Sequence, residues 1–445
     1  MNPWLQCWIG SSIVALIVFK SMRAIGLSFA VSTTISVLCF PTPLLTLMNS
    51  GNSVLYPFDL AIIYVAYIFL KYNYRFRFNE FPSTLILISA GLWPFIGSFL
   101  YAEGQTDIFI NLINLYRLIG ILMLAEIVSK QNLSINFNVI LKMILTLTFI
   151  YSVLIYLQFS GILSLNLYEI INNTDNADRE ISELNEIADT RFIILGYFKA
   201  QQGILFMMFF IFGFVSFGIK EGINGKKIFL GLNNNIIGIL LCLLAGIGLI
   251  LTGSKTTIFA ILFVSLLGFL ISSDKIKSLI PFLIFFIIIL TLLYFVSIGS
   301  EVDTVINSTL LNFINSGGSD VETLDSRRLK IDESMLLILS HPNILLGIYD
   351  QIMPDYNISY FHNEYLSVLM LGGGISFIMY LYSIFHIYIK LNLKRKNGLF
   401  SQAIFLIFIG NLIQGYTVAH FQPSIFFIES AGLSILFYRM VIANG

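Results

Sequence analysis

Apolar runs of about 16–25 residues follow one another along the chain, each long enough for an α-helix to cross hydrocarbon. They lie near 5–19, 25–47, 54–70, 83–101, 107–128, 139–159, 192–219, 228–251, 256–273, 278–298, 365–389, 399–420 and 424–441. That makes thirteen candidate spans. The count is equally well twelve, because the first run is short and the second holds Pro41 and Pro43. Alternating segments of about ten residues, the mark of a membrane β-barrel, are not seen. The pattern predicts an all-α, polytopic integral membrane protein with about 12–13 transmembrane helices, forming one transmembrane helical domain over 1–445. Two longer polar loops interrupt it, 160–191 and 299–364.

Composition narrows the class further. Of the 445 residues, 57% are hydrophobic and only 11% charged, against roughly 25% charged in an average soluble protein. A soluble fold of this size would have too few charges to cover its surface. Lys+Arg and Asp+Glu number 25 each, so no basic excess points to nucleic acid. Cys7, Cys39 and Cys242 each sit in an apolar run and read as small buried hydrophobes rather than disulfide partners or metal ligands. The first residues carry no basic region and no A-x-A-like site follows Phe19, so the first run is expected to stay as a membrane helix.

The basic residues are sorted. Lys71/Arg75/Arg77, Lys220/Lys226/Lys227, Lys275/Lys277 and Lys390/Lys394/Arg395/Lys396 fall on alternate connections, which places those connections in the cytoplasm. The C-terminus is then cytoplasmic, and both long loops face the opposite side. The cytoplasmic loops are short and hold no nucleotide fold. Gly248 to Thr256 is a near miss for a phosphate-binding loop, but Ser254 intrudes before Lys255. No metal-ligand spacing occurs, so no cofactor is expected.

Loop 299–364 carries the most specific pattern: Ser326-Arg327-Arg328-Leu329-Lys330, an amphipathic stretch, His341-Pro342, Gly347, then His362-Asn363-Glu364-Tyr365-Leu366 before a span with Gly372-Gly373-Gly374. Upstream, Arg191 precedes Gly196, Phe198 and Gly203, and Thr252-Gly253-Ser254-Lys255-Thr256 closes a span. In this order the pieces resemble the O-antigen ligase/polymerase family, membrane proteins that join lipid-linked oligosaccharides outside the cytoplasmic membrane. The resemblance covers roughly 190–375. Lys255 stands where that family has arginine, which keeps the charge but loses the two-pronged fork.

The resemblance implies a metal-independent glycosyltransferase, GT-C-like, acting on undecaprenyl-pyrophosphate-linked oligosaccharides as donor and acceptor. Breaking the sugar–phosphate bond needs charge stabilisation of the pyrophosphate more than protonation. Arginines supply it by planar, bidentate hydrogen bonding. Arg191, Arg327, Arg328 and Lys255 are the cations available on the outer face. His362 is the first candidate to accept the acceptor hydroxyl proton, since an ordinary histidine titrates near neutrality. Glu364 is second, Tyr365 can orient a sugar ring, and Asn363 completes the segment.

Other readings stand beside these. Arg327, Arg328 and Lys330 could anchor the loop at the headgroups. Arg191 could mark the start of its span. His341, His386 and His420 read as turn or interface residues. Arg117 falls near the middle of a run, where a charge demands a partner or a cavity; Asp59 and Glu103 are candidate partners, and a substrate contact is the other reading. Lys199, Gln201 and Gln202 put polarity into a neighbouring span. The expected activity is a surface polysaccharide polymerase in a bacterial inner membrane, with its site facing the periplasm and a chain-length regulator as a possible partner. The alternatives are a ligase delivering the glycan to lipid A–core, transfer to a protein, or a flippase of lipid-linked sugars. A flippase predicts internal repeats and a midplane polar path, and neither is evident.

Overall fold

In the computed structural model the described residues are 3–46, 54–76, 81–101, 105–160 apart from 132 and 134, 162–163, 195, 199–216, 234–252, 255–271, 345, 347, 364–415 and 428–444, with isolated positions at 279, 283 and 287. Nearly all are helical. In chain order the helices are α1 (Pro3–Ala24), α2 (Phe29–Leu38), α3 (Pro57–Lys71), α4 (Ser83–Leu87), α5 (Trp93–Tyr101), α6 (Gln105–Ser129) and α7 (Phe137–Phe159). They continue with α8 (Lys199–Ser216), α9 (Asn234–Thr252), α10 (Lys255–Ile271), α11 (Glu364–Lys394), α12 (Leu399–Gly415) and α13 (Ile428–Asn444). A two-residue antiparallel ladder pairs β1 (Leu45–Thr46) with β2 (Val54–Leu55).

Among the described residues, five helical stretches are long and apolar enough to cross a membrane: Trp4–Ala24, Ser83–Leu100, Asn111–Ser129, Phe137–Gln158 and Val368–Asn397. Shorter apolar helices lie between them. The protein is therefore an all-α, multi-pass membrane protein. Most of the apolar runs and helices coincide within a few residues; run 25–47 does not, and the run 278–298 and both long loops fall mostly outside the described residues.

The structure departs from simple spans at two of the early runs. Run 25–47 does not form one helix: α2 has ten residues, a rise of about 15 Å. Pro41 and Pro43 bar its continuation. Beyond α2 the Leu44 N–H donates to the Leu55 carbonyl at 2.7 Å, and the Thr42 side chain anchors the turn. The Thr42 hydroxyl lies 3.2 Å from the Cys7 carbonyl, 3.1 Å from the Leu195 carbonyl and 2.6 Å from Ser11 Oγ. Run 83–101 is helical throughout but widens to a π turn over Ile88–Leu92. Pro94 explains the turn, since it has no N–H for the Ala90 carbonyl and its ring crowds that oxygen.

Helix α8 is the centre of the C-terminal half. Its Phe206 ring occupies the place a side chain at Gly248 of α9 would need, and its Phe214 ring does the same at Gly268 of α10. At its far end Phe212 meets Phe400 of α12 and Phe437 of α13, with ring centroids 6.3 and 6.5 Å apart. These contacts fix α8 and α12 as antiparallel neighbours.

Among the described residues, two buried ion pairs tie helices together. Arg117 on α6 makes a two-pronged contact with Asp59 on α3, at 2.7 Å from Nε and 2.6 Å from Nη2. Asp59 also accepts the Tyr56 backbone N–H at 2.8 Å, and its own carbonyl accepts the Tyr116 hydroxyl at 2.6 Å. The Tyr56 ring lies 5.2 Å from the guanidinium. Asp59 is thus the partner that the sequence position of Arg117 demanded. Nine residues further along α6, half a turn round the helix, Glu126 accepts from Arg439 of α13 at 2.9 Å and from Ser83 of α4 at 2.9 Å. The same helix therefore presents opposite charges on opposite faces, each neutralised by a different neighbour.

Removing one partner of such a pair leaves a buried charge alone, a loss of about 3–5 kcal/mol. Arg439→Ala should lower the thermal unfolding midpoint in detergent markedly. The double variant Glu126→Leu/Arg439→Met should recover most of the loss. A midpoint unchanged in Arg439→Ala would show that the pair does not bear on stability.

Candidate functional site

Antiparallel packing brings particular helix ends together. On α12, Gln414 donates to the Met207 sulfur of α8 at 3.2 Å, and the Leu412 carbonyl accepts the Tyr365 hydroxyl of α11 at 2.9 Å. Phe206 against Gly248 sets the end of α9 beside the start of α8. Residues 253 and 254 separate α9 from α10, so α10 starts at the same end. The first residues of α8, α10, α11 and α13 and the last turn of α12 therefore share one end of the bundle. Lys255 is the first residue of α10, and Glu364 and Tyr365 are the first two of α11.

That end is unusually polar inside. Gln201, Gln202, Asn411, Gln414, Glu429 and Ser430 are all buried there. The Asn411 amide donates to Ser434 Oγ at 2.9 Å and to the Tyr438 hydroxyl at 2.7 Å. Tyr365 packs edge-on against Tyr380 at 6.4 Å between centroids, and its hydroxyl bridges α11 to α12. Arg117 lies elsewhere, facing α3, with its charge engaged by Asp59. Arg191, Arg327, Arg328, His362 and Asn363 lie outside the described residues, as do the side chains of Lys255 and Glu364.

The glycine run in α11 has a visible purpose. Gly373 has φ 68° and ψ −175°, which interrupts the helix. Its neighbour across the gap is the chain at Leu345 and Gly347, whose backbone fills the position a Gly373 side chain would take. The Ile375 N–H, which a regular helix would give to Leu371, goes to the Leu345 carbonyl at 3.3 Å. Gly347 has φ 106°, and a Cβ there would stand 2.7 Å from the Leu371 carbonyl oxygen. So part of the second long loop reaches nine residues down α11, about 13 Å along the helix. The contact falls within the candidate span Val368–Asn397. Irregular backbone at such depth survives only when protein buries it or it lines a cavity.

Sequence reasoning did not single out Glu126, Arg439, Glu429, Asn411 or Gln414. Each is a polar residue inside an apolar run, the same signal that pointed to Arg117.

Bundle, broken helices and inserted loop together describe a multi-pass membrane protein with an internal polar end. Residues 240–381 match the family model described as O-antigen ligase. Over that segment the chain is similar to O-antigen ligase/polymerase-like proteins. The match contains the α9–α10 junction, the second long loop and the interrupted part of α11. Among curated proteins, none matches the chain.

Gly373→Ala should be poorly tolerated, because it combines a positive-φ backbone that is essentially reserved to glycine, costing about 1–3 kcal/mol, with a collision against the backbone of Leu345 and Gly347. Gly398→Ala is the control, since nothing lies within 4 Å of a Cβ there. Melting of the two variants in detergent should separate them by several degrees, and equal midpoints would refute the account of the α11 interruption.

Proposed function

We propose that the protein is a polymerase of surface polysaccharide repeat units. It takes a growing glycan from undecaprenyl pyrophosphate and joins it to a new lipid-linked repeat at the periplasmic face of the inner membrane. The observation that carries this reading is the joining of the second long loop to the interrupted α11 within the family-matched segment. It ties the loop bearing Arg327 and Arg328 to the helix whose first turn follows His362 and Asn363.

In this mechanism Arg327, Arg328, Arg191 and Lys255 surround the pyrophosphate and take up the charge that develops as the sugar–phosphate bond breaks. His362 removes the proton from the attacking hydroxyl, and Glu364 supports it. Asn363 and Tyr365 orient the sugars. Arg117 acts at a distance, by holding α6 to α3. A chain-length regulator is the partner such a reaction calls for. No cofactor enters the reaction as proposed.

Delivery of the glycan to lipid A–core is the second reading, favoured by the description of the matched family. Deleting the gene and resolving the glycans on a gel separates the two. A polymerase deletion leaves single repeats on lipid A–core. A ligase deletion leaves long glycan on the carrier lipid and none on the core.

His362→Ala and Arg327→Ala should abolish elongation with normal membrane insertion, and wild-type chain lengths from either would overturn the assignment. Lys255→Arg should keep at least half of the elongation rate, since it preserves the charge.

A further inference from the structure

The second long loop is tied to more than α11. Opposite the interruption, the Ser376 hydroxyl on α11 donates to the Ser89 carbonyl at 2.6 Å, and both residues are buried. Ser89 lies in the π turn, where the i to i−4 ladder is displaced and helix carbonyls lose their regular partners. Ser376 is three residues beyond Gly373, in the first turn of the resumed helix. Two irregular turns thus face each other across the α5–α11 contact, and each is completed from outside its own helix. The π turn is completed by Ser376 and the resumed α11 by Leu345. Trp93 stands beside Gly372 at the same junction. The π turn belongs to residues 88–92, far outside the family-matched 240–381.

We propose that Ser376 is a positioning residue for the transfer reaction. Its bond to the Ser89 π turn fixes the resumed segment of α11, which in turn holds Leu345 and Gly347 and so sets where the catalytic loop sits. This rests on the function proposed above for that loop. The pair supplies no group to the substrate; it determines the rate at which a correctly placed loop is available.

The test uses the full chain in proteoliposomes supplied with a polyprenyl-pyrophosphate-linked repeat unit. Ser376→Ala should slow elongation at saturating substrate at least tenfold with KM within twofold. It should also speed amide exchange in the peptide containing Ile375. Ser376→Thr, which keeps the hydroxyl, should restore both. Ile375→Pro provides a second route, since it deletes the amide that binds Leu345 at a helix start where proline fits; it too should slow elongation. Wild-type elongation in Ser376→Ala or in Ile375→Pro overturns the proposal, as does slower elongation with unchanged exchange. If His362→Ala elongates normally, the function itself falls and this role with it. If His362→Ala is inactive while Ser376→Ala is normal, the positioning role alone fails.

Discussion

Backbone amides and carbonyls inside hydrocarbon have no water to bind, so each must find a partner within the protein. Most of the described residues meet that requirement with uninterrupted helix. The exceptions are the informative places. Where Pro41 and Pro43 end α2, the Thr42 hydroxyl ties the chain to carbonyls of Cys7 on α1 and of Leu195. Where Pro94 disturbs its helix, a serine from α11 bonds the displaced carbonyl. Where Gly373 interrupts α11, the second long loop supplies the missing acceptor. Each repair is made by a segment remote in sequence, so the irregular points are also the points at which distant parts of the chain are joined.

Buried charge obeys the same logic with higher stakes. Arg117 and Glu126 would each be costly alone within a membrane helix. Their partners come from α3 and α13, on opposite sides of α6. This makes α6 the connection between the N-terminal helices and the last one, and it explains why charges occur at all in runs that are otherwise apolar. In the interior of the polar end of α8, α11, α12 and α13, amides and hydroxyls outnumber the one buried carboxylate named there, Glu429.

Much of the fold was legible in the sequence because a span is defined by length and hydropathy, both of which are local. The positions of α1, α3, α6 to α10 and α11 to α13 followed directly. Run 25–47 was harder: Pro41 and Pro43 announced a disturbance, but hydropathy alone could not say whether the helix kinks or ends. The π turn before Pro94 and the loop held at Gly373 were beyond reach for a different reason. Both involve contacts that hydropathy does not report: Ser376 reaches Ser89 from 287 residues away, and Gly373 meets Leu345 and Gly347 of the preceding loop. For the site, His341-Pro342, Gly347 and the glycine run were visible as pieces of one pattern. Their meeting in space at Leu345, Gly347 and Gly373 required the structure. The position of Arg117 within an apolar run demands a partner, and the structure supplies Asp59; Glu126 and Arg439 carry the same signal in their own runs.

The phenylalanine rings of α8 set into glycines of α9 and α10 have a mechanical meaning. A ring seated where a neighbouring helix has no side chain acts as a key in a slot. Helix α8 cannot rotate or slide by a residue without driving Phe206 or Phe214 into a backbone. Those contacts lock α8, α9 and α10 together, so relative motion is easier along the seams between that trio and its neighbours.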